Sequence, residues 1–356
     1  MPGETKEYVY PLQQRAATLW YHDHRMDFTG PQVYRGLAGF FVVGDDEEDA
    51  LPLPAGEKAV PLLLADRAFR EDGSFFYPSR DPSLQGQPGV EDEFRDGVLG
   101  DVILVNGAPW PFLEVVATHY RFRILDASNA RRYALELDPA PPEGSSFVQV
   151  GSDGGLLASP VSHRRLPISP AERFDVVIDF SQYAVGDQIT LMNRFGDGPT
   201  AQVMQFRVVR NERDDSVIPA KLAEIERLDP ANASQTRRFR FHSGEVHGHQ
   251  GWIIDGEPFS PETIAAQPRL GEVEIWEMRG NTHHPIHVHL AHFQVLSRGG
   301  GEPAAHDAGW KDSVNLDGGD EVRVIARFGP YSGKYVFHCH NLEHEDMAMM
   351  ANFEVV

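Results

Sequence analysis

The stretch Tyr335-Val336-Phe337-His338-Cys339-His340-Asn341-Leu342-Glu343-His344-Glu345-Asp346-Met347-Ala348-Met349 holds the only cysteine of the 356-residue chain, with a histidine on each side. In an extended strand successive side chains point to opposite faces, so His338 and His340 share one face and Cys339 takes the other. One strand can therefore serve two metal sites back to back. Thiolate, imidazole and thioether are soft to borderline ligands, and a His₂Cys set with a weak axial Met describes a blue-copper electron-transfer site. Cys339, His344 and Met349 fit three of its four places.

The fourth comes from His284-Pro285-Ile286-His287-Val288-His289, which precedes an apolar, strand-like run, Phe293-Gln294-Val295-Leu296. By the same alternation His287 and His289 share a face and are natural partners of His338 and His340. His284, set apart by Pro285, is left to complete the cysteine's site. A lone histidine is usually structural. Here six histidines, a cysteine and a methionine fall in two short windows.

Through HPIHVH, HCHNLEHEDMAMM and LWYHDH the chain resembles the multicopper oxidases of the laccase type, in particular the bacterial spore-coat laccases and bilirubin oxidases. The resemblance runs from about Val9 to the last residue and includes the weaker runs Ile103–Gly107, Gly151–Gly155 and Ala171–Asp175. It implies an all-β chain of tandem cupredoxin-like Greek-key β-sandwiches, the first truncated: a remnant of domain 1 over 1–45, a domain 2 without copper ligands over 59–210, and domain 3 over 236–356. It implies a T1 copper at His284, Cys339, His344 and Met349, with paired T3 coppers at His289, His338, His340, His22 and His24, and a T2 copper at His287. Electrons from a small-molecule donor such as a phenol or aromatic amine would pass from Cys339 to His338 and His340, and dioxygen would be reduced to water. Glu345 matches the acidic residue that the family uses near the oxygen path. Met349 has the family's spacing of ten residues after the cysteine, which Met347 and Met350 lack.

Composition narrows the partners. With 32 basic and 53 acidic residues the net charge is −21, which argues against nucleic acid or an anionic membrane. One cysteine makes no intramolecular disulfide, so bridges say nothing of redox compartment. The start, Met1-Pro2-Gly3-Glu4-Thr5-Lys6-Glu7, has neither a basic nor an apolar segment of an export signal, and no apolar run is long enough to span a bilayer. The compartment stays open, although relatives are often exported or spore-coat associated.

The two ends of the chain read as copies of one unit. Thr18-Leu19-Trp20-Tyr21-His22-Asp23-His24 and the closing run Gly36–Val43 repeat the aromatic-His-x-His strand and closing strand of the C-terminus. Asp23 stands where Cys339 stands, and either orients an imidazole or serves only the strand's surface. In the C-terminal copy a further His-x-His precedes by 51 residues, His287 to His338. Its N-terminal counterpart would fall before Met1. The chain is therefore expected to begin partway through its first domain, with one T2 and one T3 ligand coming from a missing N-terminal segment or a second chain. In the family that the chain resembles, a complete trinuclear centre takes four His-x-His pairs, and with His247 and His249 set aside this chain offers three.

Between the ends, the acidic, proline-bearing Asp45–Lys58 marks a boundary. Short β-rich runs separated by turns follow to about Arg210, and a polar stretch from Asn211 to Gln235 includes Ala220–Arg227, read as a short helix. His119 and His163 are isolated and read as structural. His247-Gly248-His249 imitates the His-x-His spacing but reads as a hairpin tip. His283 reads as packing or solvent-facing, and His292 and His306 as supporting or structural.

Overall fold

The computed structural model describes residues 3–84, 87, 89–246 and 248–356. Its strands are arranged in five sheets, and no described helix exceeds six residues. The middle of the chain forms a seven-stranded and a five-stranded sheet enclosing an apolar core that includes Phe122, Phe174, Phe180 and Phe206. The Arg173–Asp179 strand lies inside the larger sheet, between Phe147–Ser152 and His119–Asp126, and is buried almost throughout. In it Phe174, Val176 and Ile178 point into the enclosed core, and Val177 packs on the other face.

The C-terminal third forms two five-stranded sheets around a second core containing Trp276, Phe337, Phe353, Cys339 and Met349. In one of them His284–Val288 runs antiparallel to Gly333–Cys339, with Ile286 opposite Cys339 and His287 opposite His338. Directly opposed residues of paired strands project to the same face. The register therefore puts His287 and His338 on one face of the sheet and Ile286 and Cys339 on the other. Gly333–Cys339 then pairs with the closing strand Met350–Val355.

At the N-terminal end Ala17–His22 pairs antiparallel with Ala38–Val43 as a two-stranded sheet, with His22 opposite Ala38. The one-turn helix Asp46–Asp49 follows, capped by the Asp45 side chain, whose other oxygen accepts the Ala16 amide at 2.7 Å.

Two readings of the sequence are corrected or bounded here. Ala220–Arg227 is not helical: it runs along the middle sheets, with the Leu222 amide donating to the Ala158 carbonyl at 2.9 Å and Leu222 and Ala223 buried. Contacts to neighbouring strands outweigh a weak local preference. At the hairpin, Val246 pairs with His249 and Gly248 has a φ of +82°, whereas His247 lies outside the described residues.

Candidate metal centres

Two groups of ligating atoms lie on opposite faces of the Gly333–Cys339 strand. On the core face, His284 Nδ1, His344 Nδ1 and Cys339 Sγ form a triangle, with 3.2 Å between the nitrogens and 3.6 Å from each nitrogen to the sulfur. That size lets one ion touch all three at bonding distances of about 2.0 to 2.3 Å. All three residues are buried. His284 comes from a strand, held by its pairing to Ser313–Leu316, and His344 from the Leu342–Asp346 turn that follows the cysteine. The Met349 main chain closes the site: its amide donates to the His344 carbonyl at 3.0 Å and its carbonyl accepts from the Cys339 amide at 3.1 Å. Met349 is fully buried in the same core as Cys339, whereas Met347, at the margin of that core, and Met350 line a cavity beside Glu345 and Asp346.

Each ring of this triangle is fixed from behind. His284 Nε2 donates to Asn281 Oδ1 at 3.1 Å, leaving the Nδ1 lone pair toward the sulfur. Trp252 stacks on His344 with 4.1 Å between ring centres. The Asn341 amide points at the sulfur at 3.4 Å. Burial pushes the Cys339 thiol well above its ordinary range, so a bound cation would be what draws the proton off.

On the other face the imidazoles divide into a triad, a pair and a single ring. His338 Nε2 lies 3.3 Å from His24 Nε2 and 3.1 Å from His289 Nε2, making a second three-ligand group. His22 Nε2 and His340 Nε2 are 3.3 Å apart. The His287 ring centre lies 4.8 Å from that of His289 and 5.6 Å from that of His338. The two strand copies aim their histidines in the same way: His22 Nδ1 donates to the Asp23 carbonyl at 2.9 Å and His338 Nδ1 to the Cys339 carbonyl at 3.1 Å, so each presents Nε2. The Asp23 side chain accepts the Arg25 amide instead of turning to a ring.

Electrostatics suit ligation. Burial pushes His284 down to about 3 and His22 to about 4, and holds His289, His340 and His344 well below the usual histidine range. These rings are neutral at pH 7, the form that binds metal. His338 is the exception. Burial lowers it, yet Glu345 Oε2 at 2.9 Å raises it overall. Burial likewise raises the Glu345 carboxyl, yet His338 and His24 hold it well below the usual carboxylate range. Glu345 Oε1 accepts from Thr29 Oγ1 at 2.7 Å and lies 3.6 Å from His24 Nδ1.

A cavity of about 410 Å³ opens beside the triangle, lined by Leu99, Arg132, Trp252, His283, Asn281 and His344. His283 pairs with Asp317 at 3.0 Å and so forms part of this wall. His292 Nε2 lies 3.8 Å from Asp312, beside the cluster, and three further histidines lie elsewhere. His119 Nδ1 is 2.7 Å from Asp214, His163 Nε2 is 2.8 Å from Gln149 Oε1, and His306 stands beside Asp307. Periodicity does not signal Asn281 and Asn341, which contact His284, Cys339 and His344 from two or three residues away, nor Trp252, which stacks on His344 from another sheet, nor Thr29, which reaches Glu345. Nor does it signal a buried ionic cluster of Arg173, Asp312, Asp153, Lys311 and Glu172 next to His287.

A buried His₂Cys triangle sharing a strand with an imidazole cluster is the donor arrangement of a copper oxidoreductase. Family models described as "Multicopper oxidase" match residues 204–356 and 1–48. A laccase of Bacillus stratosphericus is 40% identical over 99% of this chain and 74% of its own length. The bilirubin oxidase of Albifimbria verrucaria is 39% identical over 99% of this chain and 63% of its own. The crystal structure of the McoA multicopper oxidase from Aquifex aeolicus superposes with a TM-score of 0.84 at 34% identity, covering 96% of this chain and 76% of that one. The chain belongs to the laccase-type multicopper oxidases, copper-dependent oxidoreductases that act on small-molecule donors with dioxygen.

Proposed function

We propose that the chain oxidises phenolic or aromatic-amine donors one electron at a time at a T1 copper held by His284, Cys339, His344 and Met349, with dioxygen reduced to water at the histidine cluster. The observation that carries this reading is the placement of the two donor groups on opposite faces of one strand. When bound, copper supplies single-electron redox chemistry at the sulfur site and oxygen chemistry at the cluster. The chain supplies the route between them: Cys339 is bonded through the backbone directly to His338 and His340. The exposed Leu99, beside the buried Trp252 that stacks on His344, offers an apolar contact on which a donor can settle within reach of His344. Glu345, held ionised beside His338 and hydrogen-bonded to Thr29, is the group that would accept a proton in transit and pass it on at the cluster.

Within the cluster, His24, His289 and His338 would hold one T3 copper, His22 and His340 would serve the other, and His287 would serve T2. Among the described residues the pair has no third imidazole and His287 no second. We propose that a His-x-His on a further segment or a second chain fills those places. The apolar Tyr21, Phe41 and Val42, exposed on the two-stranded sheet, are consistent with such a neighbour. The same gap favours a second reading, a T1 electron-transfer module that does not reduce oxygen unaided.

Copper counting combined with oxygen uptake on a phenolic donor separates the two. Blue colour with uptake supports the oxidase, and blue colour without uptake supports the module. A colourless copper-loaded chain contradicts both.

A further inference from the structure

The histidines that converge on the cluster come from different sheets. His22 and His24 stand at the end of the two-stranded N-terminal sheet, and His287 and His289 on or just past a strand of a C-terminal sheet. Ligands carried by separate sheets converge only if something fixes the sheets' spacing. One side chain of the middle unit bonds to the first and to the turn that holds the second.

Arg173 is buried at the start of its strand, and all five of its N–H donors are used. Nε donates to the Thr18 carbonyl at 2.9 Å, in the strand that ends at His22. Nη1 donates to the Ala171 carbonyl at 2.8 Å and to Asp312 Oδ1 at 2.7 Å. Nη2 donates to Asp312 Oδ2 at 2.6 Å and to the Asp153 carbonyl at 3.3 Å. Asp312 then reaches the other histidine segment. Its carbonyl accepts from His287 Nδ1 at 2.9 Å, and its Oδ1 accepts from Ser313 Oγ at 2.9 Å and lies 3.5 Å from His287 Nδ1. Asp153 Oδ2 pins the same turn by accepting the Asp312 and Ser313 amides at 3.1 and 3.2 Å, with Lys311 Nζ at 3.3 Å.

We propose that Arg173 is a positioning residue for the cluster: by bridging the Thr18 carbonyl to Asp312 it holds the His22/His24 strand and the His287/His289 segment at the separation that lets their rings share metal. A planar fork is needed for this. A bidentate grip on a carboxylate plus a third bond to a carbonyl on the far side is within reach of a guanidinium and beyond a single ammonium. The middle unit contributes no ligand to either donor group, yet on this account it sets the geometry of one of them.

The inference rests on the cluster binding copper, and the experiment keeps the two apart. Arg173→Lys is compared with Arg121→Lys, a second buried arginine of the same sheet that pairs with Asp175 and Glu48 and touches neither histidine segment. Each protein is loaded with copper and challenged with a graded chelator, while copper per chain and the blue thiolate band are followed. Loss of a partner behind a ligand weakens metal binding by about 10- to 100-fold. Arg173→Lys is expected to lose the cluster copper at correspondingly lower chelator, with the blue band unchanged, whereas Arg121→Lys retains both. If Arg173→Lys does not fold, Asp312→Asn replaces it, since it neutralises the carboxylate and keeps the carbonyl that holds His287. Equal retention in the variant and the wild type overturns the proposal, as does an equal loss in Arg121→Lys or a blue band that falls together with the cluster copper. Absence of cluster copper from the wild type itself overturns the copper reading of the cluster, and this inference with it.

Discussion

Glu345→Gln isolates the contribution of one buried charge. In the wild type the carboxylate accepts from Thr29 Oγ1 at 2.7 Å and pairs with His338 Nδ1 at 2.9 Å. A glutamine has the same shape: its amide can donate to the Thr29 hydroxyl, which can turn to accept, and its oxygen can face His338 Nδ1, whose N–H already donates to the Cys339 carbonyl. The substitution thus removes charge while keeping both contacts. A hydrogen bond to a charged group contributes about 1.5 to 3 kcal/mol against about 0.5 to 1.5 for a neutral one, so exchanging the Thr29 bond and losing the ionic contact with His338 should cost the metal-free protein about 1 to 3 kcal/mol near pH 6. The sign of the pH dependence follows from the two shifts. Glu345 is depressed, so its stabilisation is present above the ordinary carboxylate value of about 4.3 and lost as pH falls through the lowered one. His338 is raised, so its share is complete below about 6.5 and lost as pH rises through the higher value. The gap between wild type and variant should be widest between those limits and narrow on both sides. Denaturant midpoints of the metal-free proteins, followed by tryptophan fluorescence across pH, measure it. Equal stability at every pH, or a gap that grows continuously toward alkaline pH, would mean that the Glu345 charge does not stabilise the fold through His338 and Thr29.

Two more substitutions probe the sulfur site. Cys339→Ser removes the only thiolate and should abolish the blue band and lower bound copper by one per chain, leaving the cluster copper in place; metal analysis and visible absorption check it, and a surviving blue band contradicts the assignment. Met349→Leu keeps the buried volume but removes the thioether, so voltammetry should show a raised potential with the blue band retained, and an unchanged potential would mean that Met349 is not the axial group.

What could be read from the chain alone was what alternation along a strand controls. That Cys339 faces away from His338 and His340 is a local property of an extended backbone, and the pairing of Ile286 with Cys339 and His287 with His338 carries the same alternation across two strands. What could not be read depends on segments far apart in sequence. Arg173 reaches Thr18 and Asp312 across 155 and 139 residues, and Thr29 reaches Glu345 across 316. No periodicity reports such contacts. An Arg and an Asp that will be buried against each other look, in sequence, like ordinary surface charges. The stretch Ala220–Arg227 shows the reverse limit, because its helical composition is overruled by strands that offer Leu222 and Ala223 a place to bury.

If neighbouring side chains of one strand serve different metals, an anomalous-difference map at the copper edge from crystals of the copper-loaded chain will show one peak enclosed by His284 Nδ1, Cys339 Sγ and His344 Nδ1, and a separate peak among the Nε2 atoms of His24, His289 and His338. A map with no peak inside the sulfur triangle, or with copper only on surface residues away from both groups, would contradict that assignment.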